Sequence, residues 1–126
     1  MGQGARFLAE DAGALKALGT AAQPIVFTGE QQQAGYWDGV QFIESPSRDN
    51  QLDFVEVRYA GGNSLIEGAV AVRSESFLSM TNSTVADSGS WGVCVTYIRP
   101  QYAATFFESN NTYVNNLLGN VVEDCD

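Results

Sequence analysis

The charged side chains are the first candidates for chemistry in this chain. Five carboxylates and two arginines lie in or beside extended segments: Asp38, Asp53, Glu56, Asp87 and Glu108, with Arg58 and Arg73. Two carboxylates about 5–10 Å apart could act as acid and base on a glycosidic bond. However, strand alternation places Asp53 on one face of its segment and places Glu56 and Arg58 on the other. We therefore expect a solvated Glu56–Arg58 ion pair and predict no catalytic residue.

The composition excludes several other chemistries, because the chain contains no histidine. Ser-His-Asp and Cys-His catalysis, histidine-ligated metals and histidine pH switches all need that side chain. Cys94 and Cys125 are the only two cysteines, and two cysteines cannot form a four-cysteine zinc site. We predict neither a metal nor a cofactor. Cys125 lies just beyond the strand expected to stack on that of Cys94, so a disulfide would require the chain to adjust. The pattern leaves open whether the two thiols are free.

Aromatic side chains form a second candidate set, since an exposed ring can stack on a sugar face. The predicted ligand contacts are the aromatic residues near expected corners and loops: Tyr36, Trp37, Trp91 and Tyr97. The two tryptophans each shortly precede a glycine that opens an extended segment, which predicts that they lie at the same corner. The alternative is that these rings close the corner or cover an end of the core.

A recurring glycine cassette indicates which elements must position these side chains. An alternating apolar stretch follows a glycine four times, at residues 39–42, 68–72, 92–95 and 119–122, with 24–29 residues between successive glycines. Such a period is typical of one supersecondary unit stacked on copies of itself. We expect the core-facing positions to be Val40, Phe42, Val70, Val72, Val93 and Val95. Gln41, Ala71 and Cys94 then form an outward column, either a solvated face or a packing surface.

A second extended segment follows each cassette and carries its own repeat. Residues 82–87 align with residues 110–115. Stacking at about 4.8 Å would place Asn82 over Asn110 and Thr84 over Thr112 as side-chain ladders. Residues 8–18 allow either an amphipathic helix or two short strands, and we favour the strands. A hairpin-built β-sandwich is the alternative fold, but it predicts Asn-Gly or Asp-Gly turns between strands, and Asp38-Gly39 is the only such dipeptide.

These segments resemble the bacterial right-handed parallel β-helix repeat proteins, which share the architecture of pectate lyases. The resemblance rests on residues 19–29, 35–42 and 59–62 and on the two Asn-rich segments, and it covers roughly residues 5–123. It implies an all-β fold, a right-handed parallel β-helix of about four to five coils, in one domain spanning residues 1–126. It also implies an exported or cell-surface protein, although the chain starts without the features of a signal peptide.

The charge and the apolar pattern of the chain restrict the classes of partner that we expect. The sequence contains fifteen acidic and six basic residues, for a net charge of −9, and it has no basic cluster. We therefore expect no nucleic-acid partner. No apolar stretch approaches the about 20 residues of a membrane span, which argues against membrane insertion. A short stack without recognisable caps leaves strand edges open, so we expect a homo-oligomer, formed through the coil ends or through the flat lateral column.

The function that this pattern favours is a non-enzymatic binding or interaction module for a carbohydrate or a protein. The alternative is a polysaccharide lyase or glycoside hydrolase of the parallel β-helix class. The histidine motifs of many such enzymes are absent, which leaves calcium-assisted elimination with Arg58 as base and Asp53 or Asp87 nearby. A carboxylate–arginine–cation cluster in a cleft would favour the enzyme, and a shallow aromatic strip would favour the binder.

Overall fold

A computed structural model describes residues 1–96 and 105–125 and shows thirteen β-strands there, with no helix in those two ranges. The first sheet contains β1 (Arg6–Glu10), β4 (Gly39–Ile43), β7 (Val70–Arg73), β10 (Trp91–Thr96) and β13 (Gly119–Glu123). The second contains β2 (Lys16–Leu18), β5 (Gln51–Asp53), β8 (Phe77–Thr81) and β11 (Thr105–Ser109). The third contains β3 (Ile25–Thr28), β6 (Val55–Arg58), β9 (Thr84–Ala86) and β12 (Thr112–Val114).

The chain visits the three sheets in turn, and every third strand returns to pair with its predecessor. Neighbours in the first sheet follow the order β1-β4-β7-β10-β13, and the other two sheets follow the same rule. Every strand pairing among the described residues is parallel, whereas hairpins would make antiparallel pairs. The protein is therefore all-β, with three parallel sheets of stacked strands compatible with a β-helix-like solenoid. The predicted strands within residues 8–18 are confirmed as β1 and β2.

The core-facing columns of the first sheet follow the predicted register. Val40 pairs with Val70 and Val70 with Val93, while Phe42, Val72 and Val95 form the neighbouring column. All six side chains are buried, at 5% exposure or less. The cassette glycines, however, occupy two adjacent levels, because this register sets Gly39 beside Ala69 but Gly68 beside Trp91. At Gly39 the backbone has φ 127°, and a Cβ would lie 2.3 Å from the Ala69 carbonyl oxygen, so only glycine fits.

Single residues with positive φ make the corner between the second and third sheets. Phe54, Asn82 and Asn110 occupy this corner in successive coils with φ of 53°, 51° and 61°. Asparagine tolerates this left-handed conformation better than most residues. Asn110 Nδ2 donates to Asn82 Oδ1 at 2.7 Å, and Asn82 Nδ2 donates to Asp53 Oδ1 at 3.0 Å. The predicted asparagine ladder is confirmed, and Thr84 pairs with Thr112 as expected.

One expectation about the outside of the first sheet needs correction. Gln41, Ala71 and Cys94 form the predicted column, but all three are fully buried instead of solvated. The Arg6 guanidinium covers one end, where Nη1 donates to Gln41 Oε1 at 3.4 Å. At the other end Cys94 forms a disulfide with Cys125, with the two Cα atoms 6.0 Å apart.

The adjustment that this disulfide requires is made by a turn after β13. Asp124 has φ 56°, and its N–H donates to the Val95 carbonyl at 3.0 Å. The left-handed residue reverses the chain locally and returns Cys125 toward β10. Because Cys94 is level with Val122, the offset between the two cysteines is closed by this single turn.

Candidate functional site

Trp37 lies in the core and not on a binding surface. Its side chain is fully buried, and Nε1 donates to the Arg58 carbonyl at 2.7 Å. A buried indole whose N–H has found a backbone acceptor closes the corner, as the alternative interpretation of this residue expects. Its ring has no exposed face for a sugar, so the prediction of Trp37 as a ligand contact is corrected.

The other predicted aromatic contacts are not brought together with one another. Tyr36 is half-buried, with its ring beside Gly29 near the start of the stack. Trp91 is also half-buried, and its ring lies over Gly119 in the last coil. Tyr97 lies outside the described residues. The two rings therefore lie against different coils, Tyr36 beside Gly29 and Trp91 over Gly119, and do not form a common platform.

Three of the seven charged candidates, Glu56, Arg58 and Asp87, form a surface cluster on the third sheet. Arg58 Nη2 lies 2.6 Å from Glu56 Oε1, and Arg58 Nε donates to the same oxygen at 3.0 Å. The Asp87 carboxylate is 3.9 Å from Arg58 Nη1. The predicted Glu56–Arg58 pair is confirmed. Asp53 is engaged elsewhere, accepting from Thr81 Oγ1 at 2.8 Å as well as from Asn82.

In the described part of the chain, no group of three or more Asp, Glu, Cys or His side chains is placed to hold a metal ion. Glu108 lies apart from the other acids. It accepts a hydrogen bond from the Tyr113 hydroxyl, and Asn111 Nδ2 donates to it at 3.4 Å. Burial and the Glu108 carboxylate together raise the pKa of Tyr113 above its ordinary value.

The sequence analysis missed an aromatic patch on the outer face of the second sheet, formed by Arg48, Phe77 and Phe107. The rings of Phe77 and Phe107 are 5.7 Å apart between centroids and tilted by 52°. The Arg48 guanidinium carbon lies 4.6 Å from the centroid of the Phe77 ring, a cation–π distance. Phe107 is 55% exposed. The patch is thus a supported ring pair with one open aromatic face.

A signal for this patch was present in the sequence. Phe77 pairs with Thr105 and Phe107 pairs with Ser79, so the two rings are diagonal neighbours on one face. The alignment of Asn82 with Asn110 already fixes this register, and alternation then assigns both rings to the outer face.

A row of polar side chains runs beside the aromatic patch, on the same face and at the adjoining corner. Its members are Asp53, Ser79, Thr81, Asn82, Ser109 and Asn110. Neighbouring coils align these groups, and the bonds among Asp53, Thr81, Asn82 and Asn110 fix their orientation. An open ring beside ordered hydroxyl, amide and carboxylate groups can contact both the apolar face and the hydroxyls of a sugar.

Comparison with known proteins adds no relative to this picture. No protein-family model matches the chain. No curated protein and no solved structure matches it. Within the described residues, no helix is long and apolar enough to cross a membrane.

Proposed function

We propose that this protein is a right-handed parallel β-helix of about four coils and that it acts as a non-enzymatic binding module. The stacked order of the three sheets supports the helix. The right-handed sense is the one that parallel strand crossovers adopt in nearly all known cases. The ligand class that the second sheet fits best is a carbohydrate, bound across the aromatic patch and the polar row.

The observation that carries this proposal is the half-exposed Phe107 ring held against Phe77. An exposed phenyl ring on a sheet offers an apolar face that the ring of a sugar can cover. The ring is held in place by Phe77, which in turn contacts Arg48, so little conformational entropy remains to be lost on binding. The adjacent amides and hydroxyls supply hydrogen-bonding groups for a polar ligand.

A glycan panel followed by titration calorimetry tests the assignment. We expect at least one oligosaccharide to bind the 126-residue chain, and Phe107→Ala to weaken that binding by about tenfold or more, the scale of one lost stacking contact. Leu65→Ala is the matched control, because Leu65 is 81% exposed but lies away from the patch. An absence of glycan binding, or equal binding by Phe107→Ala, would refute the carbohydrate assignment.

A lyase is the second candidate, favoured by the placement of Arg58 between two carboxylates. Elimination would need a neutral arginine to accept a proton. Arg58 instead donates two hydrogen bonds to Glu56, so its guanidinium is already engaged by a carboxylate. Incubation with polygalacturonate and calcium tests this candidate: formation of an unsaturated product, lost in Arg58→Lys, would favour the enzyme over the binding module.

A further inference from the structure

The first coil ends the core in an apolar layer that is only partly covered, with Ala9 and Ala17 buried and Phe7 exposed. Its inward-facing residues, assigned by their register with the buried positions of the second coil, are Phe7, Ala9, Ala17, Ile25 and Phe27. Phe7 and Phe27 meet edge to face, with centroids 5.8 Å apart, and Phe7 is 39% exposed. Within the described residues β1 pairs only with β4, so one row of its backbone N–H and C=O groups remains open. Open edges of this kind are templates for pairing with another chain.

The last coil is protected in a way that the first coil is not. Glu108 is level with the buried Met80, and Glu123 is level with Val95, so both carboxylates occupy core-facing positions. An inward-pointing charge at an edge strand is a known barrier to edge-to-edge association. In the first coil the strand charges are Arg6, Glu10 and Lys16, which alternate with the inward residues and are all exposed.

Strand β1 is complementary to itself when reversed. Its sequence is Arg6-Phe7-Leu8-Ala9-Glu10. Antiparallel pairing centred on Leu8 sets Arg6 of each copy opposite Glu10 of the other, on the outer face. On the core face it sets the large Phe7 opposite the small Ala9. Both charge and volume are therefore matched twice, once on each side of a two-fold axis.

We infer that the first coil is a homodimer interface in which β1 pairs antiparallel with β1 of a second copy. This contact is isologous and closes after two subunits. Head-to-tail stacking would instead press Glu108 and Glu123 of one copy onto the apolar layer of the next, and burying unpaired carboxylates is costly. The inference does not rest on carbohydrate binding, because the aromatic patch lies on the lateral face and stays open in the dimer.

Charge reversal at two exposed strand positions, Arg6 and Glu10, tests this dimer. Light scattering and sedimentation of the 126-residue chain should give a dimer whose mass does not grow further with concentration. Arg6→Glu places like charges opposite each other at both sites, and Glu10→Arg does the same with the opposite sign. Each single variant should raise the dissociation constant by roughly tenfold to a hundredfold, as two cross-strand ion pairs are lost and replaced by repulsion.

Mixing the variants distinguishes a specific pair from a general loss of association. The Arg6→Glu and Glu10→Arg chains should form a heterodimer with each other, since every pair is then of opposite sign. The double variant Arg6→Glu with Glu10→Arg should regain the homodimer. Circular dichroism and denaturant unfolding of each single variant check the fold, because Arg6→Glu also removes the hydrogen bond to the buried Gln41, whereas Glu10 is exposed.

Val121→Lys is the control at the opposite end, since Val121 faces inward on β13. It should leave the dimer intact. A dimer dissolved by Val121→Lys and unaffected by Arg6→Glu would overturn the inference, as would a monomer at every concentration or a mass that rises without limit. Glycan binding is measured separately, so failure of the dimer and failure of the binding proposal are independent results.

Discussion

The two ends of the stack share one register, but two of the core columns end with opposite chemistry. One column of the first sheet runs from Ala9 through Phe42, Val72 and Val95 to Glu123. A column of the second sheet runs from Ala17 through Leu52 and Met80 to Glu108. Each starts with a small apolar residue and finishes with a carboxylate. Repeated stacking alone therefore does not determine whether an end can associate with another chain. The chemistry of the last side chain in these two columns also contributes.

The largest change in assembly is expected from a variant that makes the two ends alike. In the double variant Glu108→Leu with Glu123→Val, both carboxylates leave the last coil, and its edge loses the charges that block pairing. We expect assemblies larger than a dimer, with a mass that rises with concentration in light scattering. Glu44→Gln with Glu75→Gln is the control, because it removes two exposed charges away from the ends without placing a bulkier or β-branched residue where φ is positive. A strictly dimeric Glu108/Glu123 variant would show that these acids do not protect the edge.

The disulfide gives the second largest expected effect, and it acts at one end only. Cys94→Ala with Cys125→Ala opens a cross-link of sequence separation 31. Loop-closure entropy then predicts a loss of about 3–4 kcal/mol in the free energy of unfolding. Denaturant unfolding measures it, and hydrogen exchange should quicken in β13 while β1 is unchanged. The wild-type chain under reductant should behave like the double variant, and equal midpoints for oxidised and reduced chains would contradict the prediction.

The asparagine ladder should be stronger inside the stack than at its end. Asn82→Ala removes bonds to both Asp53 and Asn110 and forces alanine into a left-handed turn, so we expect a loss of about 2 kcal/mol in unfolding free energy. Asn110→Ala, at the last coil, should cost less, because it breaks only one ladder bond. Asn82→Gly separates the two causes, because glycine adopts the left-handed conformation without strain but still lacks the side chain that makes the two hydrogen bonds. Chemical denaturation that ranks Asn110→Ala above Asn82→Ala would contradict this gradient.

The smallest effect concerns alkaline pH at the last coil. Burial and Glu108 raise the pKa of Tyr113 in the folded chain, whereas the unfolded tyrosine ionises near about pH 10. The folded state then holds its proton more tightly, so stability is full below that pH and falls as pH rises above it. We expect a decline of no more than about 1 kcal/mol per pH unit, because the group is partly exposed. Tyr113→Phe should remove this component, and an identical pH profile in that variant would contradict the assignment.

Residues that recur at coil spacing allowed much of the fold to be predicted from the sequence. The valine columns of the first sheet and the Asn82–Asn110 ladder follow directly, because like residues stack on like. The burial of Gln41 could not be predicted, since alternation assigns a face but does not tell what covers it. Here Arg6 from the neighbouring strand lies over that face.

The candidate site was less predictable because side chains near corners do not follow alternation. Trp37 stands outside a strand, and only the path of the chain directs its ring into the core, toward the Arg58 carbonyl. Phe77 and Phe107 lie within strands, where register could have placed them together. The inward positions of Glu108 and Glu123 likewise become visible only when the columns are read level by level.

The cross-link between Cys94 and Cys125 also has a mechanical consequence. A chain stretched by its two ends would unravel only as far as the covalent bond allows, because tension passes through the sulfur atoms and bypasses the enclosed residues. The 31-residue separation then conceals about 100–110 Å of extended polypeptide from the pulling force. In a single-molecule pulling experiment, the contour length of the unfolded chain should therefore increase by this amount under reductant. The residues between the two cysteines extend only after the disulfide is reduced.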